Sequence, residues 1–402
     1  MQRRAVIVAT ARTPIGRAGR GAFNETYPQT LASHAIQHAL SRSGLEPERI
    51  DDVILGAAMQ VGANGGNVAR QSLLLAGLPD SVPGMCIDRA CSSGLMAIAT
   101  AAKQIIVDGE TAVIAGGVES ISLVRADYLN ASHRQHPVLL REMPAIYMSM
   151  LETAEIVAAN HHISREAQDE FALQSQQRTA RAQAEGRFDD EIVALTTVMS
   201  VTDPETQQLT KRTVTLSQDE GNRPDTTLAG LAALKPVLSD GQRIRRGATV
   251  TAGNASQLSD GASVCVLMDS LEAEKRGIEP LGAYLGMAVA GCDPAEMGIG
   301  PMYAIPKLLK QHRLTSDDVG LWELNEAFAS QAVYCRDQLG IPTDRMNVNG
   351  GAIAVGHPYG MSGARMTGHL LLEGRRRAVR YGVAAMCIAG GMGGAALFEI
   401  YS

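Results

Sequence analysis

The chain alternates short apolar runs with longer segments whose apolar residues recur at helical spacing. The runs 53–57, 112–116 and 264–268 are continuously apolar, which is typical of strands covered on both faces. Segments 94–107 and 364–372 have the apolar content expected of buried helices. This mixture predicts an α/β fold with helices on both faces of its sheets.

Two distant stretches share one order of elements. Residues 91–119 and residues 360–393 each indicate a turn, a helix, a glycine, a strand and then Ala-Gly-Gly. A duplicated α/β half-domain explains this economically. Chance similarity between two Ala- and Gly-rich segments is the alternative.

The segment 122–250 differs from both halves. It is polar, carries five prolines and holds one long helix candidate, 164–185, with Ser164 as N-cap and Gly186 as the stop. Strand character returns at 265–268, so the segment is predicted to be an insertion into the first half. The predicted domains are residues 1–121 with 251–274 as the N-terminal half, residues 122–250 as an inserted loop domain for CoA binding, and residues 275–402 as the C-terminal half.

Composition narrows the class of protein. With 402 residues, 45% of them apolar and 19% charged, the chain has the content of a well-buried globular protein. A net charge of −6 argues against nucleic-acid binding but leaves room for a local basic patch. We expect no membrane partner and a cytoplasmic location, because the run 5–9 is too short to span a bilayer and 398–402 is not a peroxisomal signal.

The six cysteines contain no C-x-x-C pair, and we expect them to be free thiols. No histidine spacing indicates a metal site, so no metal is expected. Cys91 begins a helical segment, where backbone N–H groups and the helix dipole favour thiolate. That effect is worth about 0.3–1 kcal/mol, less than the roughly 1.4 kcal/mol of one pKa unit. A reactive Cys91 therefore needs a base; otherwise it is a small buried apolar residue.

Three further positions are candidates for that chemistry. His357 lies in a glycine-rich turn closed by Pro358 and could be the base, although a histidine in a turn is often only solvated. Cys387 ends an apolar strand before the glycine run 389–393, whose N–H groups could stabilise an oxyanion. A dinucleotide fingerprint is disfavoured there because no βαβ unit follows. Asn325 follows the strand-like 319–324 and either holds a water or caps a helix.

Together and in this order, these segments resemble the thiolase family along essentially the whole chain. Each matching segment alone is weak evidence for the family, but five matching segments in the same order are specific evidence for it. The matching pieces are 91–94, 251–256 with 260–262, 325–329, 351–358 and 387–393.

The resemblance implies a thiolase fold, in which two similar α/β halves form a five-layer αβαβα core with an inserted loop domain. It implies an acyltransferase that moves an acyl group reversibly between CoA and acetyl-CoA through acyl-Cys91. His357 would activate Cys91, Cys387 would exchange a proton with the acetyl group, and Asn325 would hold a water. The backbone N–H groups of Cys91 and Ala389 would form an oxyanion site. No cofactor is expected, because CoA is a substrate. Acyl-CoA and CoA would be the partners of a homodimer or homotetramer.

The substrate-binding residues also follow from the resemblance. Arg223, Ser256 and Ala252 match positions near CoA, Met150 matches a position lining the acyl pocket, and Phe328 is expected to bind the substrate or CoA. Arg223 could instead be a solvated loop charge.

Four positions depart from the family pattern. Asp88 replaces a usual Asn and is expected to be paired, for example with Arg89, because a free carboxylate would oppose a nearby thiolate. Ala389 replaces a common Gly, Ser149 replaces the His of many short-chain relatives, and Gly230 replaces a CoA-contacting Ser. These changes leave the acyl chain length open.

Two other functions compete with the thiolase hypothesis. Another condensing enzyme of the superfamily would also acylate a cysteine, but the block 325–328 combined with Cys387 favours a thiolase. A non-catalytic CoA- or lipid-binding protein on the same scaffold is disfavoured because Cys91, Asn325 and His357 are all present with Cys387.

Overall fold

The computed structural model describes residues 3–124 and 135–402. The strands are β1 Ala5–Arg12, β2 Gly16–Arg17, β3 Asp52–Gly56, β4 Gly84–Ile87, β5 Ala112–Ser120, β6 Leu195–Thr202, β7 Leu209–Leu216, β8 Ser259–Asp269, β9 Gly282–Gly291, β10 Leu321–Leu324, β11 Tyr381–Ile388 and β12 Met392–Ile400. The helices are α1 Pro28–Ser43, α2 Val68–Leu75, α3 Ser93–Lys103, α4 Pro137–Glu142, α5 Met150–Asn160, α6 Arg165–Ala184, α7 Leu228–Ala232, α8 Ser270–Arg276, α9 Pro301–His312, α10 Ala329–Gln338, α11 Ala352–Val355 and α12 Tyr359–Arg376.

The main sheet consists of two sub-sheets with the same strand order. The N-terminal sub-sheet runs β4-β3-β5-β8-β1, and the C-terminal one runs β10-β11-β12-β9. A parallel bridge between Trp322 and Met346 stands where β4 stands in the first half. The two sub-sheets meet through only two residue pairs of β1 and β9, at Val6–Ala283 and Ile7–Gly282. The repeated order supports the predicted duplication.

Alternate residues of each strand belong to different layers, as the strand period requires. Along β8, Val264, Val266 and Met268 pack with α1 and α2 on the outer face. Cys265 and Leu267 face inward, toward α3 and α12. The apolar runs in the sequence are therefore strands buried on both faces.

The C-terminal sub-sheet is covered in the same way. Val383 and Ala385 of β11 pack with α9 and α10 on the outside. Ala384 and Met386 face α3 and α12. Helices α3 and α12 therefore form the central layer between the two sub-sheets, which gives the five predicted αβαβα layers.

The segment between β5 and β8 lies outside this repeat. After Ser120 the chain leaves the sub-sheet, and it returns as β8 between β1 and β5. Helix α6 begins after Ser164, whose Oγ accepts a hydrogen bond from the N–H of Ala167, as predicted for an N-cap. Two carboxylates of α5, Glu152 and Glu155, accept backbone hydrogen bonds from 242–250 and fasten the insertion together. The exact domain boundaries stay a prediction.

One helical stretch in the described part of the chain, Ala90–Asp108, has the length and composition of a membrane span. It is also 61% buried inside the protein. This burial is what a core helix shows.

Candidate active site

A tight turn places Cys91 at the start of α3. Ala90 has a φ of 44°, a left-handed conformation that is uncommon for a residue with a Cβ atom. The N–H of Ser92 donates to the carbonyl of Arg89 (3.0 Å), and the N–H of Ser93 donates to that of Ala90 (3.0 Å). The turn therefore holds the thiol at the N-terminus of α3, as the sequence predicts.

A close backbone approach joins this turn to the second half. A Cβ atom added at Gly94 would collide with the carbonyl oxygen of Gly360, at the start of α12. Only glycine permits this spacing between the two central helices. The approach brings the start of α12, which follows His357 directly, next to the Cys91 turn.

The Cys91 thiol is buried, and burial raises its pKa to about 12. Hydrogen bonds from the N–H groups of Ala389 and of Cys91 itself act in the opposite direction, while the charges of Glu119 and Asp88 raise the pKa further. The resting thiol is therefore protonated at neutral pH. Attack by its sulfur requires that the proton be removed as the reaction proceeds.

His357 is 2% exposed and is held by Ser362. Its Nδ1 lies 2.7 Å from Ser362 Oγ, and that hydroxyl donates to the carbonyl of Pro358 (2.8 Å). Because a hydroxyl has only one proton, Ser362 must accept from Nδ1–H, and we assign the lone pair to Nε2. Burial lowers the pKa of His357 to about 3, so the ring is neutral.

The Nε2 atom of His357 lies 3.2 Å from Asn325 Nδ2, which donates to it. Asn325 directly follows β10, and its N–H donates to the carbonyl of Ala385 in β11 (2.9 Å). Its Oδ1 is buried and has no hydrogen-bond partner among the described residues. The helix-cap alternative is wrong, because the N-cap of α10 is Phe328.

Cys387 is fully buried near the end of β11. Burial raises the pKa of its thiol well above the ordinary value, and the nearby charge of Cys91 is the next cause. Gly390 and Gly391 have φ values of 86° and 83° and turn the chain sharply into β12. The turn holds the N–H of Ala389 against the Cys91 sulfur. The thiols of Cys91 and Cys387 and this N–H group therefore lie close together.

Tyr359 contacts both His357 and the apolar cluster that contains Cys91. Its ring lies edge-on to the His357 imidazole, with the centroids 5.1 Å apart. It also packs with the apolar cluster that contains Cys91, whose charge contributes to the raised pKa of the tyrosine after burial. The structure therefore brings together all four predicted catalytic residues.

A cavity of about 310 Å³ is lined in part by Gln257, whose carbonyl accepts a hydrogen bond from the N–H of His357 (3.0 Å). Arg223 and Ala252 line it, together with Gly230. Ser256 is outside the lining, and its N–H donates to the carbonyl of Ala327 (2.9 Å). Thus two of the three predicted CoA residues face the cavity.

Arg223 stands in a positively charged environment. Burial lowers its pKa, and the charges of Arg17 and Arg20 lower it further. Arg223 is exposed and lies in a loop, so the alternative of a solvated loop charge stays open. Arg17 and Arg20 were missed from the sequence, because only the fold brings residues 17–20 to residue 223.

Two of the predicted substrate-binding residues, Met150 and Phe328, pack around the Cys387 thiol. Phe328 and Met297 form one apolar cluster with Cys387, and Met150 packs against that cluster from the first turn of α5. Ser149, where many relatives have His, caps this helix by accepting from the N–H of Glu152 (3.2 Å).

The Asp88 carboxylate accepts a hydrogen bond from the N–H of Ala90 (2.6 Å). Among the ion pairs of the described residues, none joins Asp88 to Arg89, so the suggested pairing was wrong. The reason is local: the turn before Cys91 points an N–H group at the carboxylate.

Sequence reasoning also missed Ser362 and Glu119. Glu119, at the end of β5, accepts from the N–H groups of Ala58 (2.9 Å) and Gly360 (2.9 Å). Burial raises its pKa to about 7 despite those bonds. The available signals were an acidic residue two positions after the Gly-Gly of β5 and a serine one turn into the helix after His357.

Two thiols, a neutral imidazole and an N–H group aimed at one sulfur define a cysteine-dependent acyl-transfer enzyme. The chain belongs to the thiolase family: residues 5–270 match the thiolase N-terminal domain and residues 278–400 match the thiolase C-terminal domain. This finding confirms the predicted family, fold and enzyme class, an acyltransferase.

Similar proteins cover nearly the full chain. The 3-ketoacyl-CoA thiolase of Bacillus subtilis (strain 168) is 45% identical over 397 residues, which is 98% of this chain and 99% of that protein. The acetyl-CoA acetyltransferase of Bacillus anthracis superposes with a TM-score of 0.87 at 39% identity, over 100% of this chain and 99% of that one. Human mitochondrial 3-ketoacyl-CoA thiolase in complex with CoA gives a TM-score of 0.85 at 36% identity, over 100% and 98% of the two chains.

Proposed function

We propose that this protein catalyses the reversible thiolysis of a 3-ketoacyl-CoA by CoA, through an acyl group carried on Cys91. The observation that carries this proposal is the position of the Cys91 sulfur. It accepts the N–H of Ala389 and lies close enough to Cys387 for its charge to raise the pKa of that thiol.

In the first half-reaction the Cys91 proton passes to His357 Nε2 as the sulfur attacks the ketone carbon of the substrate, and Nε2 gives up the hydrogen bond from Asn325 Nδ2. The bond between C2 and C3 then breaks, leaving the acyl group on Cys91 and the electron pair on the departing acetyl-CoA enolate. Cys387 gives its proton to that enolate carbon, so acetyl-CoA leaves as a neutral molecule. A neutral imidazole suits this role because it can accept a proton at the start.

In the second half-reaction the thiol of free CoA attacks the acyl-Cys91 thioester. Its proton goes to the Cys387 thiolate, and the proton held on His357 returns to the departing Cys91 sulfur. Both catalytic thiols and the imidazole regain their starting states. Run backwards, the same steps perform a Claisen condensation. CoA enters as a substrate, and the chain supplies every group that moves a proton.

Oxyanions develop at two places in this sequence. We assign the tetrahedral oxygen on the acyl-Cys91 carbon to the N–H groups of Cys91 and Ala389. We assign the enolate oxygen to His357 and to a water held by Asn325, whose Oδ1 is buried without a partner in the described part of the chain. Each well-placed donor is worth roughly 3–4 kcal/mol in the transition state.

In this proposal the substrate lies along the first cavity and the apolar cluster that contains Cys387. The positive charges of Arg223, Arg17 and Arg20 suit the phosphates of CoA, and the apolar surface of Met150 and Phe328 suits the acyl chain. Ala252 faces the cavity and Ser256 positions the backbone beside it.

We further propose a homodimer or homotetramer located in the cytoplasm. Strand β4 lies at the edge of the sheet, where a second copy could add a strand. All six cysteines are free thiols, as is usual in a reducing compartment.

The test is intact-mass analysis with peptide mapping after mixing the protein with 3-ketoacyl-CoAs of graded length, in the absence of free CoA. We expect an acyl adduct on Cys91 that is absent from Cys91→Ala and present in Cys265→Ala, a matched control at another buried thiol. The adduct mass reports the preferred acyl length. A folded protein that gives no adduct on Cys91 with any chain length would overturn the mechanism.

A further inference from the structure

A second cavity, of about 390 Å³, lies on a different side of α6 from the CoA cavity. It forms between α6 and the C-terminal half, and its lining shares no residue with the first cavity. The polar groups that line it are Gln174, Gln177, Arg178, Arg181, Asp344 and Arg377.

The charge of this cavity is positive, with three guanidinium groups facing one carboxylate. Arg377 Nε donates to Glu373 (2.7 Å). Arg178 and Arg181 donate to backbone carbonyls, and neither forms an ion pair within the described residues. Arg178 and Arg181 are therefore unpaired in the described part of the chain, and Asp344 is the one carboxylate that lines the cavity.

The arginines also keep free donors. A guanidinium has five N–H groups. Arg178 uses three of its own, for the carbonyls of Met346 (2.6 Å), Asn347 (3.2 Å) and Thr343 (2.9 Å). Arg181 uses one, for the carbonyl of Val348 (3.4 Å). Three bonds hold the Arg178 guanidinium on the wall and leave it two N–H groups, and the exposed Arg181 keeps four N–H groups without a partner in the described residues.

The electrostatics agree with this geometry. Burial lowers the pKa of Arg178, and the charges of Arg181 and Arg377 lower it further, against the opposing charge of Glu326. Repulsion between the guanidinium groups is therefore present in the folded protein. An anion between them would relieve it.

We propose that this cavity binds the phosphate group of a small molecule, at a site separate from the CoA cavity. Arginine is the residue that best matches phosphate oxygens, because its planar N–H groups bind them in pairs. The volume lies within the roughly 300–1,000 Å³ of small-molecule sites and leaves room beyond a single anion. Gln174 and Gln177 offer amide donors and acceptors to the remainder of the ligand.

The experiment is isothermal titration calorimetry with inorganic phosphate and with adenosine 5′-monophosphate, at constant ionic strength. The protein is saturated with CoA, so that the first cavity is occupied. The test variant is Arg181→Glu, which reverses a charge that makes only one backbone bond. The matched control is Arg212→Glu, an equal charge change at an exposed residue of β7.

We expect the wild-type protein and Arg212→Glu to bind adenosine monophosphate more tightly than phosphate. Arg181→Glu should weaken both ligands by tenfold or more, with thiolase activity unchanged. Equal binding by Arg181→Glu and the wild type would overturn the proposal, and so would binding that CoA abolishes. If adenosine monophosphate bound no more tightly than inorganic phosphate, the cavity would be a site for inorganic anions only, and the small-molecule assignment would be refuted.

Discussion

Replacing Ser362 by alanine should slow acylation of Cys91 without removing any group that touches the substrate. The hydroxyl accepts from His357 Nδ1–H at 2.7 Å and donates to the Pro358 carbonyl at 2.8 Å. Both partners are buried, so alanine leaves a ring N–H without a partner or lets the proton move to Nε2. In the second case the ring no longer presents a lone pair to the Cys91 proton.

The size of the effect follows from the burial of the group. Leaving a buried donor without a partner costs about 1–3 kcal/mol. One factor of ten in rate corresponds to about 1.4 kcal/mol. We therefore expect kcat to fall about 5- to 150-fold in Ser362→Ala, with KM changed less than threefold because Ser362 does not line the CoA cavity.

The assay is steady-state thiolysis together with single-turnover acylation of Cys91. Ser362→Thr should recover most of the rate because it keeps the hydroxyl. The control is Thr367→Val on the same helix, whose hydroxyl bonds only the Gly363 carbonyl (2.9 Å). An unchanged kcat in a folded Ser362→Ala protein, or an equal loss in Thr367→Val, would refute the positioning role.

Two pH dependences complete the predictions. Burial raises the pKa of Cys91 to about 12, so its alkylation by iodoacetamide should accelerate about tenfold per pH unit between pH 7 and 9; mass spectrometry of the Cys91 peptide tests this, and a plateau near pH 7 would contradict it. Burial opposes ionisation of Glu191, but His369 and Arg12 lower its pKa from 4.5 to about 2. Its stabilising contribution, on the order of 3 kcal/mol, is therefore present above pH 4.5 and lost as the pH falls toward 2. Urea unfolding should show this loss in the wild type and a flatter dependence in Glu191→Gln; equal slopes would contradict the assignment.

The parts of the protein that sequence reasoning predicted are those that local chemistry determines. Ser164 predicts the start of α6 because its side chain accepts a hydrogen bond from the N–H three residues later. The doubly buried strands were predicted because burial on both faces leaves no polar position in a run such as 264–268.

The features that sequence reasoning missed depend on contacts between distant segments. The suggested partner of Asp88 was wrong because backbone geometry in the turn offered an N–H group instead. The positive environment of Arg223 requires residues about 200 positions earlier in the chain. Likewise, the two sub-sheets are joined through two residue pairs of β1 and β9. The hydrophobic pattern of the sequence does not predict this pairing.

The repeated scaffold carries only one reaction centre. Strands β5 and β11 occupy equivalent places in the two sub-sheets, and β5 carries no cysteine, whereas β11 carries Cys387. The other thiol belongs to the first half, where Cys91 lies at the start of α3. The equivalent position in the second half is the turn before α12, which contains no cysteine. Each half therefore carries one of the two thiols, and the equivalent position in the other half has no cysteine. The ancestral symmetry therefore survives in the backbone, while the chemistry depends on the two copies having become unlike each other.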